Sequence, residues 1–163
     1  MKLYTWRKGF FSSSTQIFVD LKLAGYINPN SLKDEVECGL NSTHYVIKSR
    51  SLFSNQLDVT PLHSLEQLAT IKYNPWRSKA TISVGDKVYY WSYTNAWETK
   101  WQIVGYNGDF ISYKGSMEQG FIEANTSDEF LVIAGLALAN RNRHFFYFIA
   151  VFIPLFLTLF LNN

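Results

Sequence analysis

Residues 126–139 read Thr-Ser-Asp-Glu-Phe-Leu-Val-Ile-Ala-Gly-Leu-Ala-Leu-Ala, and this stretch decides the fold. Thr126 and Glu129 have the spacing of a capping box, which predicts that a helix begins here. The apolar run that follows has no polar side, and a helix that is hydrophobic all round is buried. Because this run is too short to cross a bilayer, we predict a buried helix at about 127–140.

Most of the preceding chain reads as short strands separated by turns. Ala69, Ile71 and Tyr73 alternate with polar residues, which is the period of a half-buried strand. Asn107-Gly108 is the strongest hairpin turn in the sequence. We expect strands at 16–21, 23–27, 35–40, 45–48, 51–57, 68–73, 79–84, 87–93, 100–106, 109–114 and 120–124.

This spacing of strands is typical of a β-sandwich or a β-barrel. A barrel of about twelve strands is wide enough to need something in its lumen, and the predicted helix would fill it. Small residues such as Ala134 and Gly135 would let inward-facing side chains approach that helix. We therefore predict a β-rich (α+β) domain over residues 1–140, a closed antiparallel β-barrel of about 12 strands around a central apolar helix.

Composition narrows the classes of protein that need to be considered. The chain has 163 residues, which is the length of one domain. Fifteen Lys and Arg against thirteen Asp and Glu give a net charge of +2, so nucleic acid is not an expected partner. The basic residues are scattered along the sequence, which indicates that any contact with anionic lipid is local. Cys38 is the single cysteine, so we expect a buried or half-buried thiol and no disulfide within the chain.

Residues 145–161 form a second apolar stretch, without a charge. As a helix it would span roughly 25 Å, near the lower limit for a bilayer core, and a proline is tolerated in such helices. The alternatives are a buried core helix and a helix lying in the interface, but the stretch has no polar face. We predict a C-terminal transmembrane anchor at about 145–161, within a unit of residues 141–163. Its anchor residues are Phe145, Phe148, Phe152, Pro154, Phe156 and Leu161.

Basic residues stand directly before the predicted anchor, and none follows it. Arg141 and Arg143 would form a positive-inside flank, which places the N-terminal domain in the cytoplasm. The prediction is a single-pass, tail-anchored membrane protein whose barrel lies on the cytoplasmic side.

The loop at 74–79 reads Asn-Pro-Trp-Arg-Ser-Lys and combines a tryptophan with basic residues. That composition is typical of a contact with the membrane interface, so Trp76, Arg77 and Lys79 are candidate interfacial residues. The alternative is a hairpin connection whose tryptophan packs on the end of the barrel. Residues 6–11 have a similar character, and together the two stretches suggest that one rim of the barrel lies on the cytoplasmic leaflet.

Three features of the sequence are shared with a known family. The first is the strand pair 69–73 (Ala-Thr-Ile-Lys-Tyr) and 79–82 (Lys-Ala-Thr-Ile), joined by a turn that contains proline. The others are Trp-Gln-Ile at 101–103 leading into Ile-Ser-Tyr at 111–113, and the apolar helix with an acidic start at 128–139. In these features the chain resembles the tubby-like superfamily, which includes phospholipid scramblases and LURP-one-related proteins. The resemblance implies a twelve-stranded barrel filled by the apolar helix, although the chain adds a second apolar stretch and lacks the cysteine cluster of animal scramblases.

No constellation of residues points to catalysis. His44, His63 and His144 have no partner at the spacing of metal ligands, and the sequence contains no nucleophile or phosphate-binding motif. We predict no metal, no cofactor and no enzyme activity. The first functional hypothesis is a non-enzymatic membrane protein whose barrel binds membrane lipids or a membrane-protein partner, as an accessory subunit of a membrane complex. The alternative is a scramblase-like phospholipid transporter.

Overall fold

The computed structural model of the chain describes residues 1–9, 12–30, 33–51, 54–116 and 118–161. Within the helix, the side chains of residues 148, 155, 156 and 159–161 are outside this description. The described residues form twelve strands and one helix. They are β1 (Lys2–Lys8), β2 (Thr15–Val19), β3 (Lys22–Asn30), β4 (Glu35–Leu40), β5 (Thr43–Ser49), β6 (Gln56–Pro61), β7 (Ala69–Tyr73), β8 (Lys79–Val84), β9 (Lys87–Tyr93), β10 (Lys100–Gly105), β11 (Phe110–Gly115), β12 (Gln119–Ala124) and α1 (Glu129–Leu161).

The strands close into an antiparallel barrel. Each strand pairs with its neighbours in the sequence, and β1 pairs with β12 from Lys2–Ala124 to Arg7–Gln119, which closes the sheet. Buried and exposed residues alternate along the strands, because successive side chains point to opposite faces of a sheet. The closed antiparallel barrel that the sequence predicts is confirmed.

β1 and β6 differ most from the predicted strands. β1 is absent from the predicted set, since its aromatic and basic residues indicated a contact with the membrane interface. In the barrel, Tyr4 and Trp6 are buried in the core, while Arg7 is exposed on the outer wall. β6 runs from Gln56 to Pro61 rather than from residue 51 to 57, and residues 52–53 of that prediction lie outside the described residues.

α1 is one continuous helix of 33 residues, rather than a short buried helix followed by a separate anchor. Residues 130–139 are buried among the inward-facing side chains of the barrel. The helix does not lie at the barrel centre, since more of its backbone lies near β4 than near any other strand. The predicted central position is therefore wrong. Large aromatic side chains on β7, β9, β10 and β11 are buried against the helix.

The start of α1 is capped by Asp128 rather than by Thr126. The Asp128 carboxylate accepts a hydrogen bond from the backbone N–H of Phe130 at 3.0 Å. The carboxylate of Glu129 accepts one from Thr43 Oγ1 in β5, also at 3.0 Å. The predicted capping box is therefore wrong, because Glu129 binds the wall of the barrel instead of its own helix.

Four buried aromatic side chains donate hydrogen bonds to carbonyls of α1. The donors and acceptors are Tyr73 Oη to Leu138, Trp91 Nε1 and Trp101 Nε1 to Gly135, and Tyr113 Oη to Leu131 and Val132, at 3.0 to 3.1 Å. Buried Tyr and Trp need such partners for their polar tips. A Cβ at position 135 would lie 2.3 Å from Tyr113 Oη, so the close approach of these rings requires glycine.

The connections between strands gather at two ends of the barrel, because adjacent strands run in opposite directions. The far rim carries the connections that follow β2, β4, β6, β8, β10 and β12, and α1 begins there. The exit rim carries the connections that follow β1, β3, β5, β7, β9 and β11, and α1 leaves the barrel there. The two rims are separated by the length of the strands, roughly 20 Å for six residues.

Candidate functional site

Residues 140–143 of α1 bind the connections of the exit rim, and we call these four residues the collar. Their bonds are Asn140 Nδ2 to Thr15 Oγ1 (3.2 Å), Arg141 Nη2 to Asp34 Oδ1 (2.7 Å), Asn142 Nδ2 to the Arg77 carbonyl (2.9 Å), and Arg143 to the carbonyls of Ser116 and Glu98 (3.2 and 2.7 Å). The partners belong to or border five separate connections of the rim. The collar therefore fixes the direction in which the helix leaves the barrel.

The two arginines of the predicted positive flank are part of this collar. Arg141 forms an ion pair with Asp34, and only 11% of its side chain is exposed. Arg143 donates to two loop carbonyls, and its guanidinium carbon lies 5.2 Å from the centre of the Trp101 ring. Both arginines thus lie at the exit of the helix, but they bind the barrel rather than stand free in solvent.

Arg77 is buried, which differs from the interfacial position that the sequence predicts. Its guanidinium carbon lies 3.6 Å from the centre of the Phe145 ring, and Nη2 donates to the Ser54 carbonyl at 3.2 Å. Burial lowers the pKa of Arg77, and the nearby charge of Arg141 lowers it further. Its backbone has a φ of 53°, a left-handed turn conformation that the linear sequence does not reveal. Arg77 therefore packs against α1 at the exit instead of pointing outward.

Two tryptophans project from the exit rim. Trp76 is 82% exposed and Trp97 is 86% exposed, in the connections that follow β7 and β9. Lys79, the first residue of β8, is also exposed. Trp76 does not pack on the end of the barrel, so that alternative is wrong. Trp97 was missed by the sequence reading, and the signal that could have found it is a tryptophan within an otherwise polar connection.

Beyond the collar, α1 continues as the apolar segment, residues 145–161. Val151, Phe152 and Ile153 are 60%, 43% and 51% exposed. Successive residues of a helix point about 100° apart, so these three side chains cover more than half of its circumference. At residues 151–153 the segment is therefore an apolar helix that the barrel does not cover.

The anchor residues predicted from the sequence all fall in this segment. Phe145 packs against Arg77, Phe152 is exposed, and Pro154 lies inside the helix without ending it. Three predicted side chains lie outside the described residues, namely those of Phe148, Phe156 and Leu161. In the part of the chain that the structure describes, no helix has both the length and the apolar character needed to cross a membrane. That finding stands against the predicted transmembrane helix.

Charged side chains are divided unequally between the two rims. Each rim is taken as its connections and the strand-end residues that border them, with the first residue of α1 added to the far rim and the collar to the exit rim. The exit rim has eight basic residues, Lys8, Lys33, Arg50, Arg77, Lys79, Lys100, Arg141 and Arg143, and four acidic ones, Asp34, Glu35, Glu98 and Glu118. The far rim has three basic residues, Lys2, Lys22 and Lys87, and six acidic ones, Asp20, Glu66, Asp86, Asp109, Asp128 and Glu129. All of these lie within the described ranges. The side-chain charges therefore amount to +4 at the exit rim and −3 at the far rim, so the basic residues that look scattered in the sequence are concentrated at one end.

Tyr26 and Cys38, two titratable side chains outside the two rims, have raised pKa values. The described part of the chain contains no cluster of three or more His, Cys, Asp or Glu side chains that could hold a metal. On the outer wall, Tyr26 donates to Glu37 at 2.6 Å, and its hydroxyl lies 3.2 Å from Nδ1 of His44. Burial and the bond to Glu37 raise the pKa of Tyr26 to about 12. Burial likewise raises the pKa of the Cys38 thiol to about 12, which keeps it protonated and unreactive near neutral pH.

Comparisons with known proteins give no match to this chain. No protein-family model, no functionally curated protein and no solved structure matches it. The resemblance to the tubby-like superfamily therefore stays a prediction.

Proposed function

We propose that this chain is a non-enzymatic, membrane-attached protein. The apolar segment embeds in lipid, the exit rim faces the membrane, and the barrel binds membrane lipid or a membrane-protein partner at that surface. One observation carries the proposal: α1 is a single helix that is buried at its start, fixed by the collar, and apolar and exposed beyond it.

The exposed apolar side chains of the segment favour transfer out of water. Val151, Ile153 and Leu157 are each more than half exposed. Burying such a side chain is worth about 1.5–3 kcal/mol, and soluble monomers rarely expose a large contiguous apolar patch. The run 151–153 has no polar side, whereas a helix that lies flat on a membrane surface has one. Contact of these side chains with lipid therefore suits this segment better than exposure to water.

The exit rim has the composition of a membrane–water boundary. Trp76 and Trp97 project from the rim through which the apolar segment leaves. Tryptophan is enriched at such boundaries, because its ring is apolar and its N–H is polar. Basic residues around the exit favour the cytoplasmic side for the barrel. Because the collar binds the helix to five connections, embedding the segment would hold the barrel in a fixed orientation on the membrane.

The test is flotation of the full chain with phosphatidylcholine vesicles near neutral pH. It is done at about 1 M salt, where the Debye length is about 3 Å and charge contributes little. We expect the wild-type chain to float with the vesicles. Val151→Lys should weaken partitioning by about 2 kcal/mol, roughly thirtyfold, because lipid disfavours a charged side chain.

The matched control is Leu21→Lys, which places the same charge at a 91% exposed position of the far rim. This variant should float as the wild type does. Two results would overturn the proposal: a folded wild-type chain that stays at the bottom of the gradient, or equal weakening by both substitutions.

The same vesicles test the alternative of scramblase-like transport. Movement of a labelled phospholipid between leaflets, at a rate that rises with the amount of chain, would favour transport over binding. The sequence of the apolar segment contains no charged residue that could accompany a headgroup across, so binding is the better-supported function.

A further inference from the structure

The exit rim keeps an excess of positive charge after its ion pairs are taken into account. Three of its basic side chains pair with carboxylates: Lys33 with Glu35, Arg50 with Asp58, and Arg141 with Asp34. Within the described residues, the other five face only two unpaired acidic side chains of the rim, Glu98 and Glu118. These five are Lys8, Arg77, Lys79, Lys100 and Arg143. Arg77 is buried against Phe145, so Lys8, Lys79, Lys100 and Arg143 are left to face these two carboxylates, and the charge that remains for an external partner is positive.

This excess lies where it would act on a membrane. An anionic leaflet attracts a nearby basic side chain by about 1 kcal/mol, and the attraction fades over a Debye length of about 8 Å at physiological salt. The exit rim surrounds the point where the apolar segment leaves the barrel, so its charges would come within that distance once the segment is embedded. The far rim has the opposite sign and lies roughly 20 Å away, beyond the reach of the same potential.

We infer that the exit rim is a recognition surface for anionic lipid, and that the opposite charges of the two rims orient the barrel on an anionic leaflet. This inference rests on the proposed function and adds to it the class of lipid. Charge complementarity identifies anionic lipid as the partner, because a negatively charged bilayer surface attracts the positive exit rim and repels the negative far rim. The apolar segment supplies attachment to any bilayer, whereas the rim supplies the preference among bilayers.

The test is a competition between two vesicle populations for the full chain. The chain is made by cell-free synthesis in a mixture that contains both populations. One population is phosphatidylcholine alone, and the other also contains phosphatidylserine. At low salt, we expect the wild-type chain to prefer the anionic vesicles by about tenfold, and this preference should disappear at about 1 M salt. The double variant K79E/K100E, which changes two exposed residues of the exit rim, should lose the preference at low salt.

The matched control is K22E/K87E, which makes the same change in net charge at two exposed residues of the far rim. It should retain the preference for anionic vesicles. Equal distribution of the wild-type chain would overturn the inference, as would equal loss of preference in both double variants, since net charge rather than its position would then be responsible. Failure of the proposed function gives a different result, because the wild-type chain would then float with neither population.

Discussion

Replacing Gly135 by alanine is expected to destabilise the barrel by about 4 kcal/mol, although the same change in an exposed helix would stabilise it by about 1 kcal/mol. The added Cβ would lie 2.3 Å from Oη and 2.4 Å from Cζ of Tyr113. The ring of Tyr113 has little freedom to move, because it stacks on Trp101 with centroids 5.4 Å apart and planes 7° from parallel. Overpacking of this kind costs about 1–3 kcal/mol, and each displaced buried hydrogen bond adds about 1 kcal/mol.

The measurement is urea unfolding of the full chain in a mild detergent, followed by tryptophan fluorescence. A lower free energy of unfolding for Gly135→Ala indicates that the helix is tightly enclosed, whereas a higher one indicates that only helix propensity matters at this position. In a Tyr113→Leu background the clash is removed, so the alanine should then cost at least about 2 kcal/mol less than in the wild-type background. A Gly135→Ala chain that is more stable than the wild type would contradict the close packing of α1 against the aromatic wall.

Most strands of the barrel could be predicted from local sequence features, namely the alternation of apolar and polar residues and the turn residues between strands. The alternation at 69–73 and 79–84 places every second side chain on one face, and both strands form where this pattern indicates. β1 was missed because its inward aromatic residues and outward basic residue together resemble an interfacial motif. Pairing with β2, the next strand in the sequence, and with β12, from the other end of the domain, makes it a strand.

The properties of the exit rim could not be predicted from the sequence. Whether Lys79 and Lys100 lie at the same end as Arg141 depends on the direction of each strand, which only the closed topology fixes. In the sequence, the polar residues 140–143 indicated a break between two helices. Their binding partners lie in five different connections, which the spacing of residues along the sequence does not reveal. The sequence predicted that Arg77 points outward. In the structure it is buried, in a turn where its backbone has a positive φ that the linear sequence does not reveal.

The stability of the barrel is expected to fall by about 4 kcal/mol between pH 9 and pH 12 through Cys38 alone. Burial raises the pKa of this thiol from 9.0 to about 12, and the charge of Glu37 contributes in the same direction. Below pH 9 the thiol is protonated in both the folded and unfolded states, so the full stability is present. Above pH 9 the unfolded chain releases this proton and the folded chain keeps it, so stability decreases as pH rises until the folded thiol also ionises.

The measurement is the free energy of unfolding at several pH values from 8 to 12, for the wild type and Cys38→Ala. Buried tyrosines such as Tyr73 and Tyr113, whose pKa values burial also raises, contribute equally to both chains. The wild-type slope should therefore exceed that of the variant by about 1.4 kcal/mol per pH unit, which corresponds to one proton. Val59→Ala, at another fully buried position, should lower stability without changing the slope. Equal slopes for wild type and Cys38→Ala would mean that the thiol titrates as freely in the barrel as in the unfolded chain, and that β4 admits water beside α1.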